Sequence, residues 1–290
     1  MQRNYLILIL VWVCLAGLAV AQAPLFMKPG AAVDPNVPPP VTAITGSGQM
    51  VTLAPAERAA VPLVAPAVLP RMAPELALQV CRGRSVIQAA NLASYSATTL
   101  IQAKLPDTAQ SGEYEVQQNY SAPRTLTFKA VRFTGDPFVK SNVILRLLQS
   151  EVDHVQKDEP ESNAISPQNY KFSYKGTTQW DGRLLHIYQL KPRKKRAGLF
   201  KGRIYVDAFS GSLVRAEGRP AKSPSLFIKK VEFVQDYADI GQFTFPVHVH
   251  SEARARIVGR AIVDVYQRNY QPVANSDANG VVASTRVPAP

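Results

Sequence analysis

Hydrophobic positions along the chain change period several times, and each change predicts an element. After Pro74, apolar residues at Leu76, Val80, Ile87 and Leu92 follow a rough helical spacing, which predicts a helix from Pro74 to about residue 92. Pro74 suits the first turn, Glu75 complements the helix dipole, and Gly83 weakens the interior. Period-2 segments rich in Thr, Tyr, Phe and Val follow at Ser94–Leu105, Gly112–Tyr120 and Thr125–Phe133, separated by Pro106-Asp107 and Ser121-Ala122-Pro123. A second helix is predicted from about Pro137 to Gln156, with Asp136 as its N-cap and Ile144, Leu148, Val152 and Val155 on one face. An acidic, polar loop near Asp158–Ser166 ends it.

From Tyr170 onward the pattern is a meander. Candidate strands are 170–180, 183–191, 199–208, 212–218, 227–237, 243–257 and 260–272. The joints between them carry turn chemistry at Asp181-Gly182, Phe209-Ser210-Gly211 and Ile240-Gly241. The fold class that follows is α+β, mostly β: one large antiparallel sheet of about ten strands in sequence order, with one or two helices early. A sheet of that size must curl around something to hide its apolar face.

The ends of the chain have a different texture. Arg3 precedes an apolar run, Tyr5–Val20, of 16 residues, short for a membrane span and suited to a signal-peptide core. Cleavage after Ala21 uses Ala19-Val20-Ala21 and leaves Gln22; a later site would put Pro24 at the new terminus. An uncleaved anchor is the alternative. Val13 before Cys14 is not the small residue that lipidation needs, so after processing only Cys81 remains, as a buried small hydrophobe or a free thiol. Residues 22–74 hold 11 of the 23 prolines and show neither period, so they predict an extended linker. The expected organisation is a signal peptide over 1–21, a Pro/Ala-rich linker over 22–74, a folded, mostly β domain over 75–273 and a disordered tail over 274–290.

Composition narrows the function classes. Across 290 residues, 46% are hydrophobic and 19% charged, which excludes a wholly disordered chain, and two Cys exclude a disulfide scaffold. The net charge of +12 concentrates in one place. Lys191, Arg193, Lys194, Lys195 and Arg196 lie within six residues, and the segment 191–222 carries ten cations against Asp207 and Glu217. Export makes nucleic acid a poor partner for this run. An anionic membrane surface fits better, and a solvated loop that aids solubility is the alternative. His248, His250 and Glu252 stand at i, i+2 and i+4 of a candidate strand, on one face. That pattern could hold zinc with an open position, but it equally describes the wet side of an ordinary strand, so no metal and no other cofactor is expected. The sequence shows no GxSxG, P-loop, HExxH, CxxC or Rossmann glycine motif, and it names no nucleophile–base pair.

One run resembles a known family. Leu199-Phe200-Lys201-Gly202-Arg203-Ile204-Tyr205-Val206-Asp207 is followed by Val214-Arg215-Ala216-Glu217-Gly218-Arg219-Pro220, then by Ile228-Lys229-Lys230-Val231-Glu232-Phe233 and Ile240-Gly241-Gln242-Phe243-Thr244-Phe245-Pro246. The run is similar to exported bacterial proteins related to outer-membrane lipoprotein-sorting proteins, the LolA-like superfamily. The resemblance covers roughly 94–272, strongest over 170–246. It implies a half-open antiparallel barrel around helices, with an apolar cavity that holds lipid acyl chains in the family's carriers, and it brings no catalytic residue.

The expected function is therefore a periplasmic or secreted, non-enzymatic, monomeric carrier that binds lipid acyl chains or lipoproteins. The alternatives are an envelope-sensing interaction module and a metal-dependent hydrolase using His248, His250 and Glu252. Large apolar side chains offered to the cavity are Phe128, Leu148, Phe172, Tyr188, Tyr205, Phe233 and Phe243, with the helix 137–156 as a lid.

Overall fold

The computed structural model describes residues 70–157, 163–222, 228–255 and 259–275. The chain divides into two units, Met1–Pro24 with Arg71–Pro290, and Leu25–Pro70. Apart from Pro70, the described residues belong to the first. The expected signal peptide, nearly all of the linker, the acidic residues 158–162 and the tail from 276 lie outside them.

Ten strands form one sheet: β1 Leu92–Leu105, β2 Gln110–Ser121, β3 Thr125–Gly135, β4 Tyr170–Trp180, β5 Arg183–Pro192, β6 Phe200–Asp207, β7 Leu213–Pro220, β8 Ile228–Ile240, β9 Phe243–Ala255 and β10 Gly259–Ala274. Their order is β3-β2-β1-β10-β9-β8-β7-β6-β5-β4, every neighbour antiparallel. The sheet is open, with β3 and β4 as its edges. Eight of the nine pairings join strands consecutive in the chain. At the β4–β5 joint, Asp181 and Gly182 both take positive φ, 50° and 70°, which matches the right-handed twist of the flanking strands. The exception is the pairing of β1 with β10, which joins Ile101 to Val265 across most of the domain.

Helix α1 spans Pro74–Asn91 and precedes β1. Helix α2 connects the two sheet edges. Its parts are a first turn at Pro137–Val139, a π-helical segment at Lys140–Ile144 and an α-helix at Leu145–Lys157. Asp136 caps it, its carboxylate accepting from the Phe138 N–H at 2.7 Å. Both helices pack on the same face of the sheet. One core joins Val139, Val143, Ile144, Leu147 and Leu148 of α2, Ala77 and Cys81 of α1, and inner-face residues such as Ile101, Leu190, Ile204 and Val249. Burying each such large apolar side chain contributes about 1.5–3 kcal/mol. A second cluster gathers Leu92, Tyr95, Ala97, Phe243, Phe245 and Tyr270, with Phe245 stacked on Tyr270 at 4.4 Å.

Two helix faces depart from expectation. In α2 the buried residues are Val139, Val143, Ile144, Leu147, Leu148 and Glu151, while Val152 and Val155 are half-buried. The π segment adds a residue to one turn and rotates the stripe backward. In α1 the expected stripe is not the buried one: Leu76 is 49% and Ile87 60% exposed. The helix docks through Ala77, Cys81 and Ala89 instead. Small side chains let its backbone come close to the sheet. At Gly211, held at φ +69°, a Cβ would stand 2.5 Å from Val80 Cγ1, so any larger residue there would push the helix off. Polar ties hold both ends of α1. Tyr188 donates to the Pro74 carbonyl and His186 Nε2 pairs with the Met72 carbonyl. Gln88 donates to the Thr244 carbonyl at 3.0 Å and accepts from its N–H at 2.8 Å, beside an Arg84–Asp239 ion pair at 2.9 Å.

Candidate functional site: a cavity beneath the first helix

The close docking of α1 leaves Val86 and Ile87 exposed, and a cavity opens there. A cleft of about 580 Å³, open to solvent on one side, lies between α1, the loop 163–168 and the inner face of β6–β8. Alternation on the strands puts Phe200, Ala216, Phe233, Gln235 and Tyr237 on that face. Val86 and Ile87 of α1, 61% and 60% exposed, stand over it from the other side. Gly83 also lines it, and a Cβ at that position would meet nothing within 4 Å. The volume falls within the roughly 300–1,000 Å³ range of small-molecule sites.

Among the described residues the lining includes one cation, Arg82, and no carboxylate. The basic β5–β6 loop is tied to the same wall. Arg193 donates from its backbone N–H to the Asn169 carbonyl at 2.8 Å and from Nε to the Pro167 carbonyl at 2.7 Å. Arg196 donates to Asn169 Oδ1 at 3.3 Å. Pro167 is itself a lining residue, so the run stands next to the cavity. Lys191, Arg193, Lys194, Lys195 and Arg196 are all exposed.

Gln235 is the polar feature of the cavity floor. It is 1% exposed, and among the described residues its Nε2 has no hydrogen-bond partner. Its cross-strand neighbours are Ala216 on β7 and Val249 on β9, neither of which carries a side-chain acceptor. Deeper in the sheet the polar groups are mostly satisfied. Gln118 donates to the Tyr95 hydroxyl and accepts from Thr99 and Gln267, at 2.8–2.9 Å. Glu151 of α2 lies near this cluster, its Oε1 without a partner among the described residues, and burial pushes its carboxyl up to about 8. Burial likewise pushes the Cys81 thiol up to about 12, so it stays a protonated apolar filler rather than a nucleophile.

The seven side chains offered from sequence are distributed widely. Phe233 lines the cavity, in edge contact with Phe200 at 5.3 Å. Phe128 and Phe172 are half-buried beside the main core, and Leu148 and Tyr188 are inside it. Phe243 belongs to the second cluster. Tyr205 alternates with the buried Ile204 and Val206, which puts it on the outer face, donating to Glu217 at 2.8 Å. The lining that sequence reasoning missed comes from α1 and from 163–168. The adjacent Val86-Ile87 pair, with Ile87 set into a stripe by its spacing, gave no sign of exposure.

His248, His250 and Glu252 do share the outer face of β9. The two histidines converge on Asp264: His248 Nε2 at 3.2 Å and His250 Nδ1 at 2.8 Å from the same Oδ1. His248 also stacks on Tyr266 at 4.6 Å. Glu252 pairs instead with Arg260 at 2.9 Å, and that bond holds its carboxyl below the usual range. Among the described residues no group of three or more His, Cys, Asp or Glu is placed to hold a metal ion. Nor does any described helix have the length and apolar character to cross a membrane.

No protein-family model matches the chain, and no curated protein does. Solved structures similar to it include a DUF1329 family protein from Desulfovibrio piger, 11% identical, covering 70% of this chain and 95% of that one with a TM-score of 0.39. A LolA superfamily protein from Nitrosomonas europaea is 10% identical, over 70% of this chain and 95% of that one, with a TM-score of 0.34. These are distant likenesses, and no site or ligand is carried across from them.

Proposed function

We propose that the protein is a non-enzymatic, exported carrier of lipid acyl chains or of lipoproteins, with the cavity beneath α1 as its binding site. The observation that carries this reading is the cavity itself: about 580 Å³, walled by Phe200, Leu213, Phe233, Val86 and Ile87, next to a cluster of exposed cations. Apolar burial contributes about 25 cal/mol per Å² whatever the headgroup, so such a wall accepts chains with little specificity. The cations add attraction to an anionic headgroup or bilayer at about 1 kcal/mol each near the surface. Together they suit an amphiphile whose chain enters the cavity while its head meets the β5–β6 loop. The apolar N-terminal run with its small-residue cleavage pattern supports delivery to the periplasm or beyond, and the Pro-rich segment supports a spacer role.

The test is titration of delipidated protein with a fluorescent fatty-acid probe. Saturable binding in the wild type, lost in Ile87→Glu, is expected. Ile87 is exposed, so a charge there spares the core while facing the chain's path. Absence of probe binding by correctly folded wild-type protein would remove the carrier reading.

A further inference from the structure

Helix α1 reverses the usual arrangement of a surface helix. Such a helix sets its larger apolar residues toward the core and its polar ones toward water. Here the small Ala77, Cys81 and Ala89 are buried, while Leu76, Val86 and Ile87 are 49%, 61% and 60% exposed. Leu76, Gly83, Ile87 and Ala90 recur at i, i+7, i+11 and i+14, which lines them up along one face, with Val86 beside them. All of these except the half-buried Gly83 are exposed. From Leu76 to Ile87 the stripe runs about 16 Å along the helix. A contiguous aliphatic stripe left in water marks an interaction surface rather than a scattered apolar residue.

The charge beside the stripe says what covers it. Val86 and Ile87 stand on one rim of the cleft and the loop 163–168 on another. Arg193 donates to the Pro167 carbonyl on that second rim, and no Asp or Glu occurs from residue 191 to residue 206. The mouth therefore has aliphatic side chains on one side and the exposed Arg193, Lys194, Lys195 and Arg196 beyond the other. A second copy of the chain would bring the same net charge of +12 to this face and be repelled. An anionic bilayer complements both halves, with negative headgroups for the cations and acyl chains for the stripe. Either signal by itself gives marginal membrane binding, and the two together give stable binding. We infer that the outer face of α1 and the β5–β6 loop form a membrane-docking surface, on which Leu76, Val86 and Ile87 sink into the headgroup–acyl boundary of an anionic bilayer. The mouth of the cleft then opens onto the membrane. The inference goes beyond the carrier reading and does not depend on it, because Leu76 lies outside the cleft lining.

The experiment uses the chain as purified after export. It measures sedimentation with vesicles of phosphatidylglycerol and phosphatidylcholine, and the rise in surface pressure when protein is added beneath a monolayer of the same mixture. Wild-type protein is expected to bind the mixed vesicles, to bind pure phosphatidylcholine more weakly by about tenfold or more, and to raise the surface pressure, which cations held at the headgroups do not do. Leu76→Glu and Val86→Glu should each weaken vesicle binding by about tenfold and remove the pressure rise, the effect of withdrawing one aliphatic side chain from the membrane. Leu76→Met should keep both readouts. All three changes are at exposed positions, so melting temperatures should stay at the wild-type value. Wild-type vesicle binding in both Glu variants overturns the inference and leaves membrane contact to the cations alone. Equal binding to both vesicle types, or to neither, overturns it as well. Self-association without lipid that Leu76→Glu abolishes overturns it in favour of a second copy on this face. Leu76→Glu should still bind the fatty-acid probe; if wild-type protein binds vesicles but no probe, the carrier reading falls and the docking surface stands.

Discussion

Glu151 offers the sharpest test of how α2 is held. It is 5% exposed, has a carboxyl oxygen without a partner among the described residues and lies near the phenols of Tyr95 and Tyr270. Burial raises its pKa from an ordinary 4.5 to about 8. In the folded protein the group is protonated up to about that pH; in the unfolded chain it ionises from pH 4.5 upward. The stabilising protonated form is thus fully available below pH 4.5 and is lost as pH rises through the folded value. Between those limits each pH unit removes about 1.4 kcal/mol of stability, so roughly 3 kcal/mol is lost from pH 5 to pH 7 through this group alone. Glu151→Gln abolishes that slope. The amide introduces a buried donor costing about 1–3 kcal/mol, so the variant should be no more stable than wild type at pH 5 and more stable at pH 8.5. In a domain of this size 1 kcal/mol corresponds to roughly 2–4 °C in Tm. The wild-type-minus-variant difference in Tm should therefore fall by about 6–12 °C from pH 5 to pH 7 and change sign on the way. Thermal unfolding by circular dichroism in steps from pH 5 to pH 9 reads this directly, and other titrating groups cancel in the difference. Parallel curves across that range would refute the reasoning, because they would mean that the carboxylate reaches water.

Three further outcomes are expected. Replacing Arg193, Lys194, Lys195 and Arg196 together by Gln should abolish binding to anionic vesicles in sedimentation assays. Wild-type binding should fall steeply with salt, because exposed charges are screened over about 8–10 Å at physiological ionic strength. Salt-independent or unchanged binding would reduce the loop to an aid to solubility. Asp207→Ala should cost about 2–4 kcal/mol in urea unfolding, since the carboxylate accepts from the N–H groups of Phe209 and Ser210 and from Arg183 at 2.8–2.9 Å; a loss under 1 kcal/mol would show the turn to be self-supporting. His248 and His250 both spend a ring nitrogen on Asp264, so elemental analysis of purified protein should find no stoichiometric zinc, and about one zinc per chain that disappears in His250→Ala would reverse that assignment.

Much of the architecture was legible in the residues because it is local. Period-2 alternation in β6 and β10, turn residues such as Asp181-Gly182, and the Asp136 cap act over a few positions, and each has its observed counterpart. Ten antiparallel strands and two helices follow from such signals, as does a sheet too large to stay flat. Three features did not follow, each because it depends on residues far apart. The β1–β10 pairing closes a loop of more than a hundred residues, and no local signal chooses that partner. The buried face of α1 is set by how close its backbone comes to Gly211, which favours Ala77 and Cys81 over the larger Leu76 and Ile87 that periodicity selects. The cavity is what remains from that choice. Its walls come from α1, the loop 163–168 and three strands, and the side that a strand residue such as Tyr205 or Phe233 faces depends on which surface of the sheet the helices cover. Local sequence determines elements through short-range sterics and hydrogen bonding; where an apolar residue ends up, in a core, on a cavity wall or in water, is decided by packing between elements that meet only in three dimensions.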